Sequence, residues 1–353
     1  MSEPSEAADP SIIQSDEAAE ENLSFIRNFN DIFLAIGLGV FAFGLALATS
    51  LMVVPTASAW LISITNFGCA AIMWLLAEVF ARKRRLFMPA IVILLAFSFF
   101  TLAGTVAAYV ALNIGGFENL DVASWDQIED KIKAAPLTIM GVQTAAILAY
   151  YVRMKLPFAI GLGALSLGMT AAYSFHAYKP EGIDPDQFEA IGFGSALAIG
   201  VFMFFLGVFY DAKDPQRVTR FADNGFWLHF FAAPLIFWSA LQLVVGGRDA
   251  AAAGSLASVT TLGLVFGFAI ISLLINRRAL LVSGLLAAAF AIGGLVSDAG
   301  LDGKWTLAIT LLLLGGSMVL LGGGWHSVRR FIIAPFPKSG PIARIIPPQT
   351  IGA

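Results

Sequence analysis

"FADNGFWLHFFAAP", residues 221–234, passes from charge into apolar sequence within a few residues. Asp223 precedes the change, and Phe226 and Trp227 sit on it. His229 lies about 9 Å beyond Asp223 at 1.5 Å per helical residue, and Pro234 follows five residues later. Large aromatics at such a boundary are what a water–hydrocarbon interface selects. The stretch reads as the entry of a membrane-spanning helix, and the rest of the chain repeats the pattern.

The chain has 353 residues, 58% of them hydrophobic and only 13% charged, where a water-soluble domain needs about a quarter charged. One crossing takes about 20 apolar residues. Such runs occur ten times, near 31–54, 56–80, 86–113, 136–152, 157–178, 188–210, 224–246, 253–275, 279–297 and 304–325. Backbone polar groups cannot stay unpaired in hydrocarbon, so these runs are expected to be helices, and no alternating barrel strands are seen. The expected fold is an all-α polytopic transmembrane bundle of about ten spans over residues 30–326. An acidic tail (1–29) precedes it, and a basic, proline-containing tail (327–353) follows. In the first tail, Ser15 is placed to cap a short surface helix.

Lys and Arg set the orientation. With both termini in the cytoplasm, 16 of the 21 basic residues fall inside and 5 outside, and every inner loop is basic. A miscounted span would scramble that alternation. The longest outer loop, 114–135, contains "SWDQIEDKIK", which suits a short surface helix capped by Ser124. Three hairpins echo one another: "FARKRRLFMPAI" (80–91), "YYVRMKLPFAI" (150–160) and "INRRALLVSGL" (275–285). Tight basic turns between helices account for that likeness without invoking duplication. Gly192, Ala196 and Gly200 recur on one helix face, as do Ala164 and Gly168, which lets backbones approach closely. The glycine runs 293–294, 315–316 and 322–324 suggest further close contacts or bends.

Ionisable groups in hydrocarbon are costly and are usually paired or functional. Glu78 lies near the end of the second run, four residues before Arg82, a spacing that pairs the two on one helix face; an interfacial ion pair is the plainer reading, and a coupling carboxylate or switch is the other. Asn66 lies mid-span, and Gln143 falls in the outer part of the fourth run; both are candidate cavity-lining groups, with interhelical hydrogen bonding as the plainer reading. His229 has two readings: an imidazole bonded to a neighbouring helix's carbonyl or hydroxyl, or a proton-responsive group facing a cavity. Pro234 removes the backbone bond to the carbonyl of Phe230 and favours a kink there.

The inner loop 210–227 mixes charge in Asp211, Lys213, Asp214, Arg217, Arg220 and Asp223. Loop charge of this kind is usually solvated, with Asp223 placed to cap the seventh span. Arg217 and Arg220, with Arg329 and Arg330 of the tail, form the candidate cytoplasmic docking surface for a protein partner. Self-association through the Gly/Ala faces is the other contact expected beside the lipid bilayer. No metal or cofactor is expected: there is no HxxxH, HExxH or cysteine pair, and only His229 and His326 share a side. The sequence has no nucleophile set, phosphate loop or carboxylate cluster of an enzyme, and no basic patch for nucleic acid.

"WLLAEVFARKRRLFMPAI", "DPQRVTRFADNGFWLHFFAAP" and "GGGWHSVRRFI" resemble uncharacterised polytopic inner-membrane proteins of bacteria, particularly alphaproteobacteria. The resemblance implies a multi-pass protein of the bacterial inner membrane and carries no activity. A ten-span chain with both ends inside is also similar in outline to drug/metabolite transporters built from two five-helix halves, although the long outer loop departs from them. Two functions follow as expectations: a transporter-like protein for a small solute, or a non-transporting scaffold or accessory subunit of a larger complex.

Overall fold

A computed structural model describes residues 29–53, 58–113, 125–177, 184–214, 217, 219–245, 254–277, 279–337 and 340–346. Among these, eleven α-helices and one π-helical segment form, and no strand. They are α1 (Phe29–Val53), α2 (Ala59–Ala77, continued by the π segment Glu78–Lys83), α3 (Phe87–Asn113), α4 (Trp125–Met154), α5 (Pro157–Ala177), α6 (Pro185–Lys213), α7 (Arg220–Val245), α8 (Gly254–Ile275), α9 (Ala279–Asp298), α10 (Gly303–Ile333) and the short α11 (Pro341–Ile345). The first ten lie where the ten apolar runs were expected. Eight of them are long and apolar enough to cross a membrane; α5 and α9 fall outside that set among the described residues. The chain is an integral, multi-pass membrane protein. The tail before residue 29, with its expected helix at Ser15, and the loop 114–124, with Ser124, lie outside the described residues.

Three boundaries differ from the sequence reading. "SWDQIEDKIK" does not form a separate helix: α4 runs unbroken from Trp125, with Pro136 inside it. Proline removes only the one bond its own N–H would have made, and the flanking turns carry the helix across. The mixed-charge loop is shorter than expected, because α6 continues to Lys213 and α7 begins at Arg220. Asp211 is therefore helical, and Asp223 lies in the first turn of α7 instead of capping it. The basic segment 327–333 extends α10, since no proline interrupts it before Pro335.

The chain divides into two compact units between residues 182 and 183, with α1–α5 in one and α6–α11 in the other. In the first, Trp74, Phe97 and Tyr150 meet with ring centroids 5.5–5.9 Å apart, within a core that includes Met73, Ile93, Leu94 and Phe100. In the second, Ala233, Phe237, Phe268, Ile275 and Leu280 form the core. Phe33, Val40 and Phe43 on α1, and Leu312, Val319 and Leu320 on α10, stay exposed, as side chains facing lipid do.

The hairpin turns share one device. Arg85, Lys155 and Asn276, each just past the end of a helix, adopt the left-handed conformation (φ 55° each), as does Arg217 (φ 56°) between α6 and α7. Such a residue closes a helix by letting following N–H groups reach back to its last carbonyls: Lys155 N donates to Tyr151 O at 2.8 Å, and Arg277 N to Ser272 O at 2.9 Å. The echo among the three hairpin sequences is thus a common turn geometry.

The small-residue expectation holds in part. A Cβ on Gly200 would lie 2.7 Å from Ile236 Cγ1 and 3.1 Å from its backbone nitrogen, so α6 and α7 are close there. Gly294 is similarly close to Ser258 Oγ, at 3.0 Å. Gly315, Gly316, Gly322 and Gly323 face open space, so the expected close contact is not made at those positions.

Candidate functional site

Asp211, in the last turn of α6, is the centre of the site. His229 Nε2 on α7 lies 3.1 Å from its Oδ2. Arg277, just after α8, donates from Nε to the same Oδ2 at 3.1 Å and from Nη2 to Oδ1. The guanidinium grips both carboxylate oxygens along one edge, the two-point geometry that gives Arg–carboxylate pairs their strength. Arg277 Nη2 also donates to Ala222 O at 2.9 Å. Solvent has little access: the side chains are 0% (His229), 3% (Arg277) and 13% (Asp211) exposed. A buried pair of this kind withstands desolvation only when its remaining hydrogen-bonding capacity is also met.

Two glycines make room for it. A Cβ on Gly207 of α6 would lie 2.8 Å from His229 Cε1, and one on Gly225 of α7 would collide with Asp211 Oδ1 and lie 3.1 Å from Gly207 O. Each glycine stands one turn before a polar residue on its own helix and beneath the polar residue of the other. The pattern is legible as "GVFYD" (207–211) and "GFWLH" (225–229). Phe204 covers the imidazole, with ring centroids 5.0 Å apart.

The carboxylate only accepts, so the proton of a neutral His229 sits on Nε2. Nδ1 is buried and has no hydrogen-bond partner among the described residues. The expected carbonyl or hydroxyl partner of His229 is in fact a carboxylate.

A second layer secures the ends of the helices. Arg217 donates to Ile275 O at 3.0 Å and to Asn276 O at 2.8 Å, and Arg329 Nε donates to Leu273 O at 2.9 Å. Cations there complement the negative end of the α8 dipole. Burial lowers the Arg329 pKa to about 10, which leaves it charged at neutral pH. Trp325 Nε1 donates to Asn276 Oδ1 at 3.1 Å, and Asp214 Oδ2 accepts from Thr219 N and Oγ1 at 2.7 and 2.6 Å. Of the four candidate docking arginines, Arg217 and Arg329 thus bond their own chain; Arg220 and Arg330 are exposed.

The other unit carries a related clamp. Glu78, opening the π segment after α2, accepts from Arg82 Nη1 at 2.8 Å and from Arg153 Nε at 2.6 Å. The Arg82 bond is the one its spacing predicts; the Arg153 bond ties in the end of α4. These arginine side chains are 47% and 49% exposed.

The remaining candidates stand apart from both clamps. Asn66 is buried and donates to Ile62 O of its own helix at 2.8 Å. Gln143 Nε2 donates to Ser98 O on α3 at 3.2 Å. It lies within the Ala135–Met154 span. Pro234 lies within α7, five residues past His229. Sequence reasoning missed Asp211 and Arg277, whose charges it assigned to loops.

The chain matches no family model, and no curated protein or solved structure matches it.

Proposed function

We infer that this is a transporter-like protein for a small solute, a multi-pass protein of the bacterial inner membrane with ten spans and cytoplasmic termini. The observation that carries the reading is the buried Asp211–His229–Arg277 cluster near the end of an apolar span. Ionisable groups held in such a place are functional-site candidates by default. The cluster joins α6, α7 and the turn after α8, so a change of protonation at His229 would act on all three. A proton at Nδ1 finds no acceptor in the arrangement described, so its arrival would favour a rearranged packing of α6 against α7. The family resemblance and the basic inner loops support the membrane and the orientation.

A second reading, a non-transporting scaffold or accessory subunit, is favoured by one observation: Arg217, Arg277 and Arg329 tie helix ends together through carbonyl oxygens, as a rigid framework requires.

Proteoliposomes holding an internal pH-sensitive dye distinguish the two. Fractions of a small-molecule extract from the expressing cells are added outside. Transport predicts a protein-dependent pH signal with at least one fraction, lost in His229→Gln. A response identical to empty liposomes with every fraction favours the scaffold.

A further inference from the structure

Many hydroxyl groups on the first unit's described helices turn back on their own backbone, while Ser63 donates to Gly104 O on α3 at 3.0 Å. Thr65 donates to Leu61 O at 2.8 Å, Thr105 to Thr101 O at 2.7 Å, and Thr170 to Ser166 O at 2.8 Å. That is the ordinary resting place of a hydroxyl in an apolar helix. Ser98 departs from it. Its Oγ is buried and has no hydrogen-bond partner among the described residues.

Opposite it, Gln143 has the same deficit. Its Nε2 donates to Ser98 O, which fixes the amide's orientation, because a carbonyl oxygen can only accept. Oε1 is left buried with no partner among the described residues. The large majority of buried side-chain polar atoms find a partner, so two unmet groups on facing residues mark one place. Ser98 is eleven residues from the start of α3 and Gln143 eleven from the end of α4, about 16 Å from the hairpin ends of both helices. Next to Gln143, Thr144 Oγ1 lies 2.7 Å from Ser166 Oγ and 3.2 Å from Thr170 Oγ1, which continues the polar layer to α5.

We propose that Ser98 and Gln143 frame a mid-membrane binding site for a neutral hydroxyl, that of a water molecule or of a small uncharged solute. One hydroxyl oxygen meets both needs: it accepts from Ser98 Oγ–H and donates to Gln143 Oε1. The ligand is neutral, because neither α3 nor the part of α4 from Ala135 to Val152 contains Asp, Glu, Lys, Arg or His. The site itself is independent of the transport reading; a solute as its occupant rests on that reading.

The test is X-ray radiolytic labelling of the full-length protein in nanodiscs, read by mass spectrometry, with glycerol as the solute probe. A hydroxyl held at the site marks its neighbours Phe97 and Met140, while fully buried Met73 is the dry reference. The site predicts labelling at Phe97 or Met140 several-fold above Met73, lost in Ser98→Ala/Gln143→Leu. Ser98→Ala alone serves if the pair fails to fold, and it lowers the labelling too. Suppression of the signal by glycerol assigns the hydroxyl to a solute, and persistence in glycerol assigns it to water; either supports the site. Labelling no higher than at Met73, or unchanged in the folded variants, overturns it. Failure here leaves the liposome pH signal intact, and failure of that signal leaves the labelling intact, so the two ideas fall separately.

Discussion

Each unit ties a carboxylate at the end of one helix to an arginine at the end of the helix two further along. Glu78 reaches Arg153 across α2 and α4, and Asp211 reaches Arg277 across α6 and α8. The first clamp is wet, with arginines about half exposed; the second is dry and adds an imidazole with no access to solvent. The contrast teaches that the same pairing has different physical weight in the two places. In water, solvation and salt replace a lost partner at little cost. In a dry site, nothing replaces it.

Arg277→Ala should show the largest effect. It leaves the buried Asp211 carboxylate with His229 but without its arginine, and breaking a buried pair from one side costs about 3–5 kcal/mol. Unfolding in mixed micelles measures it; a loss near zero would mean that water reaches Asp211. Gly225→Ala comes next, at about 1–3 kcal/mol of overpacking against Asp211 Oδ1 and Gly207 O. Its control is Gly315→Ala, which meets open space and should stabilise α10 by about 0.5–1 kcal/mol, read in the same titration. The smallest effect belongs to Glu78→Gln, which should leave the melting curve where it was. Raising salt should weaken only the Glu78 clamp, so salt-sensitive unfolding that survives Glu78→Gln would break the comparison.

The helices were legible because apolar runs of spanning length have few alternatives in lipid, and the boundaries of α3, α5, α8 and α9 fall within a residue or two of expectation. Asp211 was not legible by the same reasoning. An apolar run is read to its end where charge accumulates, yet α6 continues to Lys213, and Asp211 pairs with Arg277, 66 residues away. Composition in one window cannot report a partner that distant. The local trace was the pair of glycines, "GVFYD" and "GFWLH", each a turn before a polar residue. The sequence reading took Gly192, Gly200 and Gly168 as packing glycines and did not single out this pair. Glu78 was legible to the extent that Arg82 is a local partner, whereas Arg153 is not.

Transport requires that the dry clamp belong to a protein that opens. Ser239, on α7 beyond Pro234, is 1% exposed, and Ser239→Cys changes only oxygen to sulfur. In a Cys69→Ala background, which removes the chain's one native thiol, its reaction with a membrane-impermeant thiosulfonate is followed from each face of the membrane. Transport predicts that Ser239→Cys reacts, from one face or from both in turn, as the bundle opens. An unreactive thiol from either side, while the exposed position His326→Cys is fully modified, would contradict it.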